Sequence, residues 1–150
     1  TQVTDEVLGR LADLKALAML SLANTQVKNE SLAKLAAVPQ LRELRLDRAT
    51  VGDAGLVHLK GCKRLAVLGL ADTRVTDAGL KALHDWPTAL AVNLQGSRVT
   101  APGAAALHAT RPDFTVTHDG RTLLPADPDR AAAEWVLSAG GTVNLDGRAD

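Results

Sequence analysis

The stretch Leu68–Leu83, LGLADTRVTDAGLKAL, changes its hydrophobic period halfway along. Leu68 and Leu70 alternate with other residues, which is the spacing of side chains on one face of a β-strand. Leu80 and Leu83 follow the i, i+3 spacing of one face of a helix. Thr, Asp and Gly residues lie between the two patterns and are typical of turns and helix starts. The stretch therefore predicts a short strand, a turn and a helix.

The same pattern recurs every 24 residues along the chain. Three of the repeating columns are Leu22, Leu46, Leu70 and Leu94; Leu8, Leu32, Leu56 and Leu80; and Val3, Val27, Val51, Val75 and Val99. One such unit cannot bury its apolar face alone, so neighbouring units are expected to stack and turn each column into a continuous apolar ladder. The strands then lie side by side and parallel. Because helices are wider than strands, the stack is expected to curve with the strands inside the bend.

Two segments carry a family resemblance: 41–59, LRELRLDRATVGDAGLVHL, and 65–83, LAVLGLADTRVTDAGLKAL. They resemble leucine-rich repeats of the pattern LxxLxLxxTxVTDxGLxxL. The chain is similar to the bacterial-type, cysteine-containing-like subclass, whose CxxLxxLxL is matched from Cys62 to Leu70. The resemblance implies an α/β fold: a right-handed leucine-rich-repeat solenoid, or horseshoe arc, with parallel strands on the concave face and helices on the convex face.

The chain is predicted to contain two parts. Residues 1–124 carry about five repeats, of which the first is incomplete, and form the predicted solenoid. The 24-residue spacing fails in residues 125–150, where Asp127-Pro128 predicts a helix start and Gly140-Gly141 a helix stop before a short strand. This second part is predicted to be either a C-terminal helix–strand cap or the start of a further repeat block.

The strand residues between the ladder positions are predicted to form a binding surface, because curved repeat arrays commonly use their concave face for contacts. The predicted partner-binding residues on this face and its rim are Glu43, Arg45, Asp47, Arg48, Arg74, Asn93, Gln95 and Arg98. The surface has no Tyr or Trp anchor, so polar contacts are expected. We therefore predict a non-catalytic protein–protein interaction module that binds a protein partner or another segment of its parent chain. The alternative is a structural spacer or adaptor segment of a larger multidomain protein.

Composition limits the other classes of partner. Lys and Arg together number 17, as do Asp and Glu, so the basic excess typical of nucleic-acid binding is missing. No apolar run approaches the roughly 20 residues that cross a membrane as a helix. A single cysteine excludes an internal disulfide framework. It leaves the compartment open, with a slight preference for the cytoplasm, and the oligomeric state stays open as well.

The residues that could carry chemistry have simpler interpretations. Cys62 occupies an apolar column, which predicts a packed, unreactive thiol. His84 and His108 share a column with Lys60, and a position this variable predicts surface residues and not a metal site. His118, followed by Asp119 and Gly120, predicts the turn at the end of a strand and not part of a catalytic triad. We therefore predict no catalytic residue, metal or cofactor.

Overall fold

A computed structural model of the protein describes residues 5–14 and 16–124. The cap or further repeat block predicted at 125–150 lies outside the described residues. The strands are β1 (Met19–Ser21), β2 (Glu43–Arg45), β3 (Val67–Gly69), β4 (Ala91–Asn93), β5 (Thr115–His118) and β6 (Arg121–Leu123). The α-helices are α1 (Asp5–Arg10), α2 (Asp53–Leu59), α3 (Asp77–His84) and α4 (Ala101–Thr110), and 3₁₀ helices span Leu11–Asp13 and Glu30–Ala37.

The six strands form one sheet in chain order, β1 to β6. The first five strands are parallel, and each is in register with the next at a separation of 24 residues. Met19 is opposite Glu43, and the same column continues through Val67, Ala91 and Thr115. Helices alternate with these strands, and α2 packs against α3 as α3 packs against α4. The chain is thus a mixed α/β domain with a mostly parallel sheet, as predicted.

The repeating leucines and valines form the core. Leu46, Leu70 and Leu94 are fully buried and Leu22 is 4% exposed, so the predicted ladder lies inside the molecule. The helical columns are buried as well: Leu8, Leu32, Leu35, Leu56, Leu59, Leu80, Leu83 and Leu107 are all at most 2% exposed. Burial of a leucine side chain contributes roughly 1.5–3 kcal/mol, so these columns are the main source of stability.

Strand β4 begins differently from β3, and Leu90, the buried leucine before β4, lies one residue later in its unit than Leu65 does before β3. At β3 the N–H groups of Ala66 and Val67 both donate to the carbonyl of Arg42, at 2.8 and 2.9 Å. At β4 the N–H of Ala91 donates to Ala66, at 2.8 Å. The bond from Val67 recurs 24 residues later at Ala91, but within the described residues Leu90 makes no counterpart of the bond from Ala66, and the register of β3 and β4 keeps its separation of 24.

A ladder of hydrogen bonds connects the helix starts of successive units. The carboxylate of Asp53 accepts from the backbone N–H of Thr76 at 2.8 Å and from its hydroxyl at 2.7 Å. Asp77 accepts from the N–H and hydroxyl of Thr100 at the same two distances. These bonds from Thr100 hold the pKa of the Asp77 carboxyl below its ordinary value. The Thr100 hydroxyl also accepts from the N–H of Gly103, at 3.1 Å, and thereby caps α4. Thr100 thus contacts both Asp77 of the preceding unit and Gly103 of its own helix.

The helical segment of the second unit, Glu30–Ala37, is a 3₁₀ helix, whereas the repeat pattern predicted the same kind of helix in every unit. Its N-terminal residue Asn29 is itself in a helical conformation and makes no capping hydrogen bond to its own helix. The Asn29 side chain instead accepts from the N–H of Gly52 in the next unit, at 3.0 Å. The start of this helix consequently has no side-chain cap from Asn29.

The sheet ends in a hairpin that the repeat pattern did not predict. Strand β6 runs antiparallel to β5, with His118 opposite Arg121. Between them Asp119 and Gly120 have φ of 47° and 72°, and two positive values are typical of a type I′ turn. The predicted strand-end turn at His118–Gly120 is therefore present, and the chain after it folds back along β5.

Candidate interaction surface

One face of the sheet is lined by the strand residues that lie between the ladder positions. We call this the open face; it is formed by the strand residues Met19, Ser21, Glu43, Arg45, Val67, Gly69, Ala91, Asn93, Thr115 and Thr117, and by Asp47 and Gln95 in the turns after β2 and β4. Their side chains alternate with the buried ladder residues, as the period of a strand requires. Apart from Gly69, all of them are partly or fully exposed. Five of the predicted site residues therefore lie together on one face: Glu43, Arg45, Asp47, Asn93 and Gln95.

The two charged residues of β2, Glu43 and Arg45, form an ion pair with each other. The Nε of Arg45 lies 2.7 Å from Oε1 of Glu43, two residues earlier on the same face. The Glu43 side chain is 18% exposed and the Arg45 side chain 59% exposed. An ion pair this open contributes at most about 1 kcal/mol to stability, but it holds both side chains in one place. The pair presents the outer N–H groups of the guanidinium to solvent.

The middle of the open face is a shallow depression of about 250 Å³ beside Arg45, Asp47, Gly69, Asn93 and Thr117. The Asp47 carboxylate leans over Gly69 and accepts from the N–H of Ala71 at 2.9 Å. A Cβ at Gly69 would lie 2.7 Å from one oxygen of Asp47, so only glycine leaves room for this carboxylate. The depression therefore has a fixed carboxylate at one side.

The other three predicted residues lie in the turns that follow the strands. Arg48 donates through Nε to Asp72 in the next unit, at 3.3 Å. Arg74 and Arg98 are exposed and lie one repeat apart. Within the described part of the chain, neither of these two arginines takes part in an ion pair or a side-chain hydrogen bond. The rim therefore carries two guanidinium groups that are available to an anion.

Two polar residues complete the surface. The N–H of Gln95 donates to Oδ1 of Asn93 at 3.1 Å, which orients the Asn93 amide. On β5 the hydroxyl of Thr117 lies 3.2 Å from that of Thr122 on β6. Thr117 is a contact residue of the depression that was not among the predicted site residues. Thr115 and Thr117 alternate with the buried Val116 and His118, and this spacing in the sequence indicates that both threonines lie on the open face.

Cys62 is buried, as its column predicts. It is 3% exposed, and burial raises the pKa of its thiol to about 11. The thiol therefore stays protonated at neutral pH, which makes it a poor nucleophile.

The three histidines considered in the sequence have different surroundings. His84 is exposed, and Nδ1 of His108 lies 3.2 Å from the carbonyl of Phe114. His118 is 8% exposed, and its Nε2 lies 2.8 Å from the carbonyl of Val99. Among the residues that the structure describes, no three His, Cys, Asp or Glu side chains are grouped as metal ligands would be.

Arg111 has a role that the repeat pattern did not reveal. Its guanidinium donates to the carbonyls of Trp86 at 2.7 Å and His84 at 3.0 Å, where α3 ends. It also pairs with Asp113 at 2.7 Å and lies over the Phe114 ring, 4.0 Å from its centroid. Arg111 thus connects the end of α3 to the residues just before β5, and this role is structural.

Comparisons add no closer assignment than the fold and the open face define. No model of a known protein family matches the chain, and no curated protein matches it significantly. In the described residues, none of the helices is long and apolar enough to cross a membrane. The class of protein supported here is a mixed α/β domain whose mostly parallel sheet leaves one polar face open.

Proposed function

We propose that this chain is a leucine-rich-repeat solenoid whose parallel strands line a concave face and whose helices lie on the convex side. The support is the strand register, which advances by 24 residues from β1 to β5, together with the buried columns of the same period. The match of 41–59 and 65–83 to the repeat pattern supports it independently. In this proposal the open face is the concave face.

The proposed function is that of a non-catalytic protein–protein interaction module. The single observation that carries it is the open face itself, where polar side chains are already held in place. Asp47 is fixed by Ala71, Glu43 is fixed by Arg45, and the Asn93 amide is fixed by Gln95. Side chains that are ordered before contact lose little entropy on binding, so a polar surface of this kind is suited to a protein partner.

The charges of the rim favour an acidic partner, which would be either a separate protein or another segment of the parent chain. Arg45 and Arg48 already have carboxylate partners in Glu43 and Asp72. Arg74 and Arg98 lie outside such pairs within the described residues, so their charge is available. Guanidinium groups bind carboxylates in a bidentate geometry, which adds orientation as well as attraction. An acidic segment that spans two neighbouring units would contact both arginines.

The test is a charge reversal with a matched control. The double variant Arg74→Glu/Arg98→Glu changes the proposed rim, and Lys63→Glu/Lys81→Glu makes the same change in net charge at exposed positions of other turns and helices. Each variant and the wild-type chain serve as bait in cell extract, with the bound proteins quantified and the affinity of any shared partner then titrated. We expect the affinity of the rim variant for the partner to fall by at least about tenfold, and the affinity of the control variant to stay unchanged.

The spacer alternative makes the opposite prediction. A segment that only separates other parts of a longer protein has no partner that depends on the open face. Equal recovery of all partners with both double variants would contradict the interaction site. Circular dichroism of the three baits is the control for folding, because both changes replace exposed side chains and should leave the spectrum unchanged.

A further inference from the structure

The depression in the open face combines an apolar part with one charged end. Val67 and Ala91 line it as neighbours across β3 and β4, and Val67 is 39% exposed. Gly69 follows two residues after Val67 on the same face and contributes no side chain. Above it lies the Asp47 carboxylate, whose oxygens are 2.7 and 2.8 Å from the place that a Cβ of Gly69 would take. The apolar part therefore leads to a carboxylate.

The Asp47 carboxylate carries a charge that no cation of the described residues neutralises. Its hydrogen-bond donor is the N–H of Ala71, at 2.9 Å, and this group is uncharged. Arg45, the other charged residue beside the depression, is paired with Glu43 at 2.7 Å, so the two charges of that pair cancel. Within the described part of the chain Asp47 takes part in no ion pair. The depression therefore has an unbalanced negative charge at a fixed position.

We propose that the depression binds a lysine side chain that the protein partner presents. The inference rests on the proposed function, because it assigns one contact of the partner on the same open face. A lysine has an apolar stem and a charged head, and such side chains lay the stem along apolar surface while the head stays partly in water. The stem packs on Val67 and Ala91, and the ammonium group reaches Asp47. The two parts of the side chain thus match the two parts of the depression.

The hydrogen bonding of Asp47 favours lysine over arginine. A guanidinium group binds a carboxylate best through two parallel N–H···O bonds, which use both oxygens. Oδ1 of Asp47 already accepts from the N–H of Ala71, and Oδ2 has no hydrogen bond within the described residues. An ammonium group is a compact charge that needs one such oxygen. A partner that also contacts Arg74 and Arg98 on the rim therefore carries a lysine in addition to its acidic residues.

The test uses a small probe, so that no partner has to be known. The isotope-labelled full chain is titrated with Nα-acetyl-lysine N-methylamide, and its backbone amide resonances are followed by NMR. We expect saturable shifts at Gly69 and Ala71, with a dissociation constant of about 1–10 mM. The matched probe is the corresponding norleucine derivative, which has a similar stem without the ammonium group. It should bind at least about tenfold more weakly, and the arginine derivative should also bind more weakly than lysine.

A pair of variants tests the carboxylate. Asp47→Asn removes the charge and keeps an oxygen that can accept from the N–H of Ala71. We expect it to weaken binding of the lysine probe by at least about tenfold. The control is Asp85→Asn, which makes the same change in charge just after α3, where the Asp85 side chain is 84% exposed and lies 3.8 Å from Lys60. This control should bind the probe as the wild type does.

The outcomes separate this proposal from the proposed function. A wild-type chain without saturable shifts up to about 50 mM probe, equal binding of the lysine and norleucine probes, or equal binding by the Asp47 and Asp85 variants would overturn the proposal. Tighter binding of the arginine probe would overturn the choice of lysine. The variant Arg74→Glu/Arg98→Glu should bind the lysine probe at least as tightly as the wild type, because neither arginine lines the depression. Failure of the rim test therefore leaves the probe result unchanged.

Discussion

Replacing Gly79 with alanine tests how tightly the units are fitted together. In most helices this change raises stability, because alanine has a helix propensity about 1 kcal/mol better than that of glycine. Here a Cβ at Gly79 would lie 2.9 Å from Cγ of Asp53 and 3.1 Å from its Cα, and closer still to one carboxylate oxygen. That carboxylate receives both hydrogen bonds of Thr76. The alanine must therefore displace it.

The magnitude follows from what is lost. Two hydrogen bonds to a partly exposed carboxylate contribute about 2–3 kcal/mol together, and the helix propensity of alanine returns about 1 kcal/mol. Gly79→Ala should therefore lower the free energy of unfolding by about 1–2 kcal/mol and the melting temperature by about 2–8 °C. The control is Gly9→Ala in α1, where a Cβ meets no atom of the described residues within 4 Å. That change should leave stability unchanged or raise it by up to about 1 kcal/mol.

The assay is urea denaturation of the four members of a double-mutant cycle with Asp53→Ala. Once the carboxylate is absent, the closest remaining contact of the new Cβ is the Cα of residue 53, at 3.1 Å, and Gly79→Ala should no longer destabilise the chain. The coupling between the two sites should therefore be about 2–3 kcal/mol. If Gly79→Ala raises stability as much as Gly9→Ala does, or if its effect simply adds to that of Asp53→Ala, the contact is not tight and the reasoning is refuted.

Three further predictions concern single side chains. Arg111→Ala should lower the free energy of unfolding by about 2–3 kcal/mol, because the carbonyls at the end of α3 lose their donor. Arg111→Lys should recover less than half of this loss, because an ammonium group cannot reach the carbonyl of Trp86 and the other acceptors at once. Urea denaturation measures both variants, and full recovery by lysine would contradict the role of the guanidinium group. Cys62 should react with a thiol reagent at pH 8 only as fast as the chain unfolds, because its pKa is raised to about 11; equal labelling rates with and without denaturant would show that the thiol is accessible. Asp77→Ala should destabilise the chain by about 1–2 kcal/mol at neutral pH. Because the pKa of Asp77 is lowered on folding by its bonds to Thr100, this difference should be complete above the ordinary aspartate pKa and shrink as the pH falls through the folded value; a difference that does not change in acid would contradict it.

Much of the candidate site could be read from residue alternation alone. Five of the predicted residues lie on one face because neighbours within each unit are two residues apart. They are Glu43, Arg45 and Asp47 in one unit and Asn93 and Gln95 in another. Their partners could not be predicted in this way. Whether Arg45 turns to Glu43 or to solvent depends on distances between side chains, and a linear pattern carries no such information.

The hairpin at the end of the sheet was missed for a different reason. The 24-residue period does not continue past β5, and β6 belongs to no repeat. The signal was nevertheless local, because Asp119-Gly120 between two alternating stretches is a strong indication of a type I′ hairpin. Composition of the turn, read by itself, would have predicted the reversal.

The amino-acid sequence alone determined the period, and with it the strand register and the identity of the buried columns. This was possible because side-chain direction within a strand or helix depends on spacing along the chain, and a spacing of 24 residues kept over successive units turns the same leucine columns toward the core. The tertiary structure decided what lies between units: the bonds from Thr76 to Asp53, the room that Gly79 leaves for that carboxylate, and the exposure of Leu14 in the first unit. These depend on distances of a few ångströms between residues far apart in the chain, and such distances exist only after the units have packed.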